Sequence, residues 1–317
     1  MDNLTHTLTG LVLSRAGLNR YYARPALVLL LAANAPDIDV SSLIGGPIAY
    51  LQYHRHYTHS LAMAPVIAAL PMLAACAARR STKEWKAAYV LSLIGVASHL
   101  LLDWTNTYGV KLLLPFSERW CGIDITNIVD LWIWGVLLLA AVGPMLGRLV
   151  SSEIGAKPGT GRGLAIFALC FLLAYDYGRF LLHRRALEVL NSRLYQGAAP
   201  VQVAAFPAGA GNPMMWTGWV RGANFSTRYS LNLLSEFDPE AGTTFQQPEP
   251  MPAIDAARQT VVFQKFSEFA QYPLWRVTPV AEPEDGKLVE LRDWRFPFAA
   301  AAIVDRDNRV QRASVHF

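Results

Sequence analysis

Pro25-Ala-Leu-Val-Leu-Leu-Leu-Ala-Ala-Asn34-Ala-Pro36-Asp37-Ile-Asp39-Val-Ser-Ser-Leu-Ile-Gly-Gly46 is the stretch on which the reading of the fold turns. It is as long as a membrane-spanning helix, which needs roughly 20 mostly apolar residues. Pro36 interrupts it, because proline cannot donate to the helical ladder and disfavours helical geometry in the residue before it. The break frees backbone groups and lets a new helix start near Asp37. Ionisable residues inside an apolar run are expensive and are functional candidates by default. Two carboxylates beside such a break suit a hard or borderline cation. The competing reading makes Asp37 and Asp39 caps of a helix that begins in a loop at the membrane surface.

Outward from this stretch, four more apolar runs have spanning length: Leu61 to Ala78, Ala87 to Trp104, Ile128 to Gly147 and Gly163 to Leu182. The segment Leu4 to Leu18 is shorter and carries His6 and Arg15, as a re-entrant or tilted half-span or an interfacial helix would. The composition agrees: 53% of residues are hydrophobic and 16% charged, against about 25% charged in soluble domains. A net charge of +4 without a basic stripe argues against a nucleic-acid partner. Cys76 and Cys170 lie in apolar runs and Cys121 in a polar loop, so neither a disulfide framework nor a Cys-based zinc site is expected. The N-terminus lacks the basic region and apolar core of a cleavable signal peptide.

The basic residues read as topology signals. Arg15, Arg20 and Arg24 precede the first run, Arg79, Arg80, Lys83 and Lys86 separate the second and third, and Arg148, Lys157 and Arg162 separate the fourth and fifth. All three groups fall on one side of a five-span bundle, placed as the cytoplasmic side. Residues 49–60, 105–127 and the C-terminal region then face the other side, although Arg184 and Arg185 after the last run oppose this.

The expected fold is an α-helical polytopic membrane domain over residues 1–184, followed by a small β-rich soluble domain over residues 185–317. Strand-like alternation occurs in Lys287 to Phe296, in a hairpin from Ala301 to Phe317, and in a second hairpin formed by Trp216 to Val220 and Thr227 to Leu231. Gln247 to Pro252 reads as a linker or loop.

Three further polar groups accompany the aspartates. His54-Arg55-His56-Tyr57-Thr58-His59 holds three of the seven histidines, and neutral imidazole is a common zinc ligand. His99 and Asp103 are spaced i,i+4, on one face of a helix, as two ligands, as a ligand with its orienting carboxylate, or as a plain stabilising pair. His6 follows Asp2 by four residues, a spacing for which helix capping is the simpler account, and Gly10 permits close helix packing. Asp176 and Arg179, at i,i+3, read as a structural ion pair. In a five-span arrangement the ends carrying His54–His59 and His99–Asp103 lie on the same side, and Asp37 and Asp39 lead toward it. Three clustered carboxylates at Asp37, Asp39 and Asp103 call for a compensating cation. A His/Asp donor set without Cys suits zinc, manganese or iron.

The set Thr5-His6 through Gly10, Pro36-Asp37-Ile-Asp39, His54-Arg55 through Thr58-His59-Ser60 and His99 through Asp103 resembles the YdjM-type inner-membrane proteins over roughly the N-terminal half. In donor style it is also similar to zinc-dependent phospholipase C. The YdjM resemblance implies a membrane-bound, metal-dependent hydrolase in the bacterial cytoplasmic membrane. It implies a metal site drawn from His6, Asp37, Asp39, His54, His59, His99 and Asp103. The chain departs from the pattern at His56, where such proteins have glycine, which makes His56 an extra polar group rather than a ligand.

The resulting expectation is hydrolysis of an ester, a phosphoester in particular, in a lipid or lipid-linked substrate, with membrane lipids as partners. His6, Asp37, Asp39, His59, His99 and Asp103 are the metal candidates. Asp39, His54 and Arg55 are the catalytic candidates, Arg55 as a phosphate holder. Two other classes stay open: a metal or proton transporter, and a structural or regulatory membrane protein with a structural metal.

Overall fold

The computed structural model describes residues 1–18, 21–22, 24–153, 159–209 and 211–316. Arg20, Lys157 and Phe317, used in the sequence reading, lie outside the described residues. The chain divides into two compact units, each discontinuous in sequence: residues 1–38, 55–185 and 206–216 form the first, and residues 39–54, 186–205 and 217–317 the second.

The first unit is a helical bundle. Helix α1 (Asn3–Arg15) starts at Asp2, whose carboxylate accepts from the backbone N–H of Leu4 and Thr5 at 3.0 and 3.1 Å, satisfying donors that a helix start leaves open. At 13 residues it is about 20 Å long, too short to cross a bilayer. Helix α2 (Pro25–Asn34) begins on a proline whose fixed φ and missing N–H suit the first turn. Pro36 ends it, and the chain turns into a 3₁₀ segment (Pro36–Gly45) bent by 44° from α2. Helix α3 (Pro47–Tyr53) follows, then a 3₁₀ turn (Tyr57–His59) and α4 (Ala64–Arg79). Helices α5 (Trp85–Thr105), α6 (Leu131–Glu153) and α7 (Arg162–Asn191) complete the set.

Among the described residues, three helices are long and apolar enough to cross a membrane, or up to five if each bent pair counts as one span. The second expected run is the most altered: its helix starts at Ala64, and with the Pro47–His59 segment it makes an 84° bend. Helix α7 continues nine residues past the expected Leu182, because Arg184-Arg-Ala-Leu-Glu188 are good helix formers although no longer apolar. Leu139, Met145, Leu146, Phe167 and Leu173 on α6 and α7 stay more than half exposed. That is the outward apolar surface a lipid-facing helix requires and water penalises.

Several interior packing zones hold the bundle, one of them Val28 and Leu29 with Ala75, Ala88 and Leu91. Leu8 and Val12 of α1 pack with Leu102, Ile133, Leu137, Ala165 and Ala168. Ala32 of α2 packs with Ile67, Ala68, Val96 and Leu100 of α4 and α5. Glycines set the approach distances. A Cβ at Gly10 would stand 2.7 Å from the Leu29 carbonyl oxygen, and one at Gly95 2.5 Å from the Ala32 Cβ. Helix α2 is therefore held in near backbone contact with α1 and α5.

The β-rich region has two four-stranded antiparallel sheets, ordered β1-β2-β3-β4 and β5-β6-β7-β8. Strands β2 (Met215–Arg221) and β3 (Phe225–Asn232) follow β1 (Gln202–Pro207) and form the hairpin expected around Arg221-Gly-Ala-Asn224, with β4 (Thr243–Gln246) added at the edge. In the second sheet β5 (Pro273–Val280) pairs with β6 (Gly286–Asp293), and β7 (Ala299–Val304) with β8 (Val310–His316), close to the expected strand and hairpin. Helices α8 (Pro252–Arg258) and α9 (Val261–Phe269) were not expected. Phe263, Phe266 and Phe269 recur every three residues and are buried, a helical period too short to stand out beside strand alternation.

Candidate metal centre

Four of the sequence candidates meet in the first unit. Asp37 lies just past the Pro36 break, His59 in the 3₁₀ turn, and His99 and Asp103 one helical turn apart on α5. One ligand atom from each lies within 4.8 Å of the other three. His59 Nε2 is 3.4 Å from Asp37 Oδ1 and 3.5 Å from Asp103 Oδ2, and His99 Nε2 is 3.7 Å and 3.4 Å from the same oxygens. The two imidazole Nε2 atoms are 3.1 Å apart. Four donors at about 2.0–2.1 Å from a tetrahedral ion stand about 3.3–3.4 Å from one another, so these spacings fit one small cation.

The proton positions agree. His99 Nδ1 is 2.7 Å from the Ala33 carbonyl oxygen, which only accepts, so Nδ1 carries the proton and Nε2 offers its lone pair to the cluster. His59 Nδ1 is 3.0 Å from the Thr58 hydroxyl. Two facing Nε2 atoms take either one shared proton or a cation that both lone pairs face. Asp103 Oδ2 has no hydrogen-bond partner among the described residues although it is fully buried. A buried carboxylate oxygen is costly in that state, and a cation would resolve it. The residues present therefore fit a divalent metal. His59, His99 and Asp103 are fully buried, whereas Asp37 keeps slight exposure.

The other oxygen of Asp103 is differently surrounded. Oδ1 takes a hydrogen bond from Asn106 Nδ2 at 3.0 Å, an ion pair with Arg55 Nη2 at 3.2 Å, and the Met1 ammonium. His6 Nε2 is 3.4 Å from it. The His6 ring stacks on His99 with centroids 3.8 Å apart, and neither of its nitrogens has a hydrogen-bond partner among the described residues. Beyond the carboxylate, the Arg55 guanidinium donates to Asn106 Oδ1 at 3.2 Å and to the Gly109 and Met1 carbonyls at 3.4 Å, and it covers the Tyr108 ring.

The remaining candidates are placed as follows. Asp39 and His54 belong to the second unit and pair with each other, His54 Nδ1 lying 2.8 Å from Asp39 Oδ1, with Tyr50 stacked on the His54 ring. His56 is buried edge-on to Trp120. Asp176 and Arg179 form no ion pair, contrary to the spacing. Arg179 donates to the Ile125 carbonyl at 2.8 Å and to the Pro213 carbonyl, and lies over the Trp216 ring. Backbone carbonyls satisfy its donors in place of the carboxylate. Asn106 escaped the sequence reading as a participant. Its one signal was its position three residues after Asp103 at the end of a helix.

The family profile described as YdjM inner membrane protein matches residues 1–186, which contain all of these site residues. Among curated proteins, the chain is similar to the uncharacterized protein YfhP of Bacillus subtilis (strain 168), with 22% identity over 325 residues, 97% of this chain and 92% of YfhP. No solved structure matches the chain. With more than half of its length matched by one profile and its apolar helices in the same region, the chain belongs to the YdjM inner membrane protein family.

Proposed function

We propose that this protein is a membrane-bound, metal-dependent hydrolase that cleaves an ester, a phosphoester in particular, of a lipid or lipid-linked substrate at the membrane interface. The observation that carries this is the four-donor cluster of Asp37, His59, His99 and Asp103, whose spacing fits one divalent ion. The donor types suit zinc first, then manganese or iron. Bound there, such an ion would supply Lewis acidity, polarising the scissile group and acidifying water, for which one of the four donors has to give way or a further position has to open.

The chain's own residues take the other roles. Asp39 accepts from His54 Nδ1 and orients the imidazole, as a general base requires. Arg55 neutralises and positions Asp103; holding a substrate phosphate requires it to exchange one of its present acceptors. The basic groups at Arg15, at Arg79 to Lys86 and at Arg148 to Arg162 support a cytoplasmic-membrane orientation with the C-terminal region outside.

Two results are expected. Detergent-purified protein stripped with a chelator loses hydrolysis of a lipid phosphoester panel and regains it with zinc, manganese or iron. Protein that stays metal-free after reconstitution with those ions overturns the reading. His54→Ala retains its metal and lowers kcat by about 10²–10⁴-fold, the usual weight of a general base. Loss of metal in that variant would reassign His54 as a ligand, and unchanged turnover would remove it from the chemistry.

A further inference from the structure

We propose that Asn106, acting with Arg55, makes Asp103 a one-oxygen ligand and thereby selects a small, four-coordinate cation of the zinc type over a larger, oxygen-rich one such as manganese. This rests on the reading that the cluster holds a metal.

Asn106 is fully buried and stands where α5 ends, its backbone already extended. Its amide has one orientation. Oδ1 accepts from the Tyr108 N–H at 2.8 Å and from Arg55 Nη1 at 3.2 Å, so Nδ2 faces Asp103 and donates to Oδ1 at 3.0 Å. A flipped amide would set N–H groups against two donors. With Arg55 Nη2 also on Oδ1 at 3.2 Å, that oxygen is committed to donors. Oδ2, which has no hydrogen bond among the described residues, is the one directed at His59 and His99. A carboxylate free to use both oxygens raises the coordination number, which larger, harder cations prefer and tetrahedral zinc does not need. Asn106 is thus a positioning residue whose effect is read in the choice of metal.

The test is competitive loading of the detergent-purified full chain with zinc and manganese, metal content measured by elemental analysis, for wild type, Asn106→Ala and Asn106→Asp. Asn106→Ala releases Oδ1 from its directional donor. Asn106→Asp keeps the acceptor for Tyr108 and Arg55 while replacing the donor by a carboxylate oxygen set against Asp103 Oδ1, so its fold is checked by a thermal melt beside the metal content. Both are expected to lower the zinc-over-manganese preference by about 10-fold or more, in line with the effect of losing a partner of a metal ligand. Cobalt-loaded variants are expected to show weaker visible absorption than cobalt-loaded wild type, as the coordination number rises. A residue that only anchored the loop would weaken both metals equally, and an unchanged preference in a folded Asn106→Asp overturns the proposal while leaving the metal site standing. Wild type that binds neither metal overturns both.

Discussion

Asp103→Ala is expected to reduce bound metal to less than about a tenth of wild type and to destabilise the protein by about 3–5 kcal/mol. The two effects come from the two oxygens. Oδ2 stands 3.4–3.5 Å from both imidazole Nε2 atoms, and its removal takes away one of four donors. Oδ1 is the carboxylate partner of the buried Arg55 and an acceptor for Asn106. Taking a carboxylate away from a buried guanidinium leaves charge that the interior solvates poorly, which is why breaking such a pair costs more than the pair contributes. Asp103→Asn separates the effects: it keeps the shape and an oxygen for Arg55, so metal is lost with a smaller fall in melting temperature. Elemental analysis and thermal melts in detergent read the two quantities. Full metal content in a folded Asp103→Ala would exclude Asp103 as a ligand.

Gly95→Val is the second large effect, although Gly95 contains no donor atom. A Cβ there would lie 2.5 Å from the Ala32 Cβ and 3.2 Å from the Ala33 backbone nitrogen, distances that only a separation of α2 from α5 can relieve. Overpacking of this kind costs typically about 1–3 kcal/mol. The displacement also reaches the site. Ala33 supplies the carbonyl that fixes the His99 tautomer at 2.7 Å, and Asp37 lies one proline-terminated turn further along the same chain. Ligand distances in metal sites keep within about 0.2 Å of their usual values, so with the ligands displaced metal affinity is expected to fall by about 10-fold or more. Gly135→Ala in α6 is the control. Nothing lies within 4 Å of an added Cβ there, and replacing a helical glycine by alanine gains about 1 kcal/mol. Equal metal affinity in Gly95→Val and wild type would show that the α2–α5 approach does not set the site.

Local pattern carried a large part of the architecture. The apolar runs marked α5, α6 and most of α7, because length and hydropathy are properties of the segment itself. Pro36 marked the end of α2 for the same reason. The β2–β3 and β7–β8 hairpins were legible from alternation around turn residues. Pattern failed where two periods compete over a short span, as in α9 with its three phenylalanines. It failed again where a helix outlasts its apolar stretch, as in α7 beyond Leu182.

The site divides along the same line. By itself the sequence determined which chemical groups were available, since carboxylates and imidazoles in apolar surroundings announce themselves by their cost, and the i,i+4 spacing put His99 and Asp103 on one face of α5. Only the tertiary structure decided which of these groups meet. Asp37 and His59 join His99 and Asp103, while Asp39 and His54 take each other as partners. It also gave Arg55 to Asp103, turned Asn106 onto the same oxygen, and set the Ala33 carbonyl on His99. The physical reason is that, apart from Asn106 and Asp103, which are three residues apart, these partnerships join residues 15 to 66 apart in the chain, several of them through helices brought into contact at Gly10 and Gly95. A distance fixed by backbone contact between helices leaves no periodic trace in either of them.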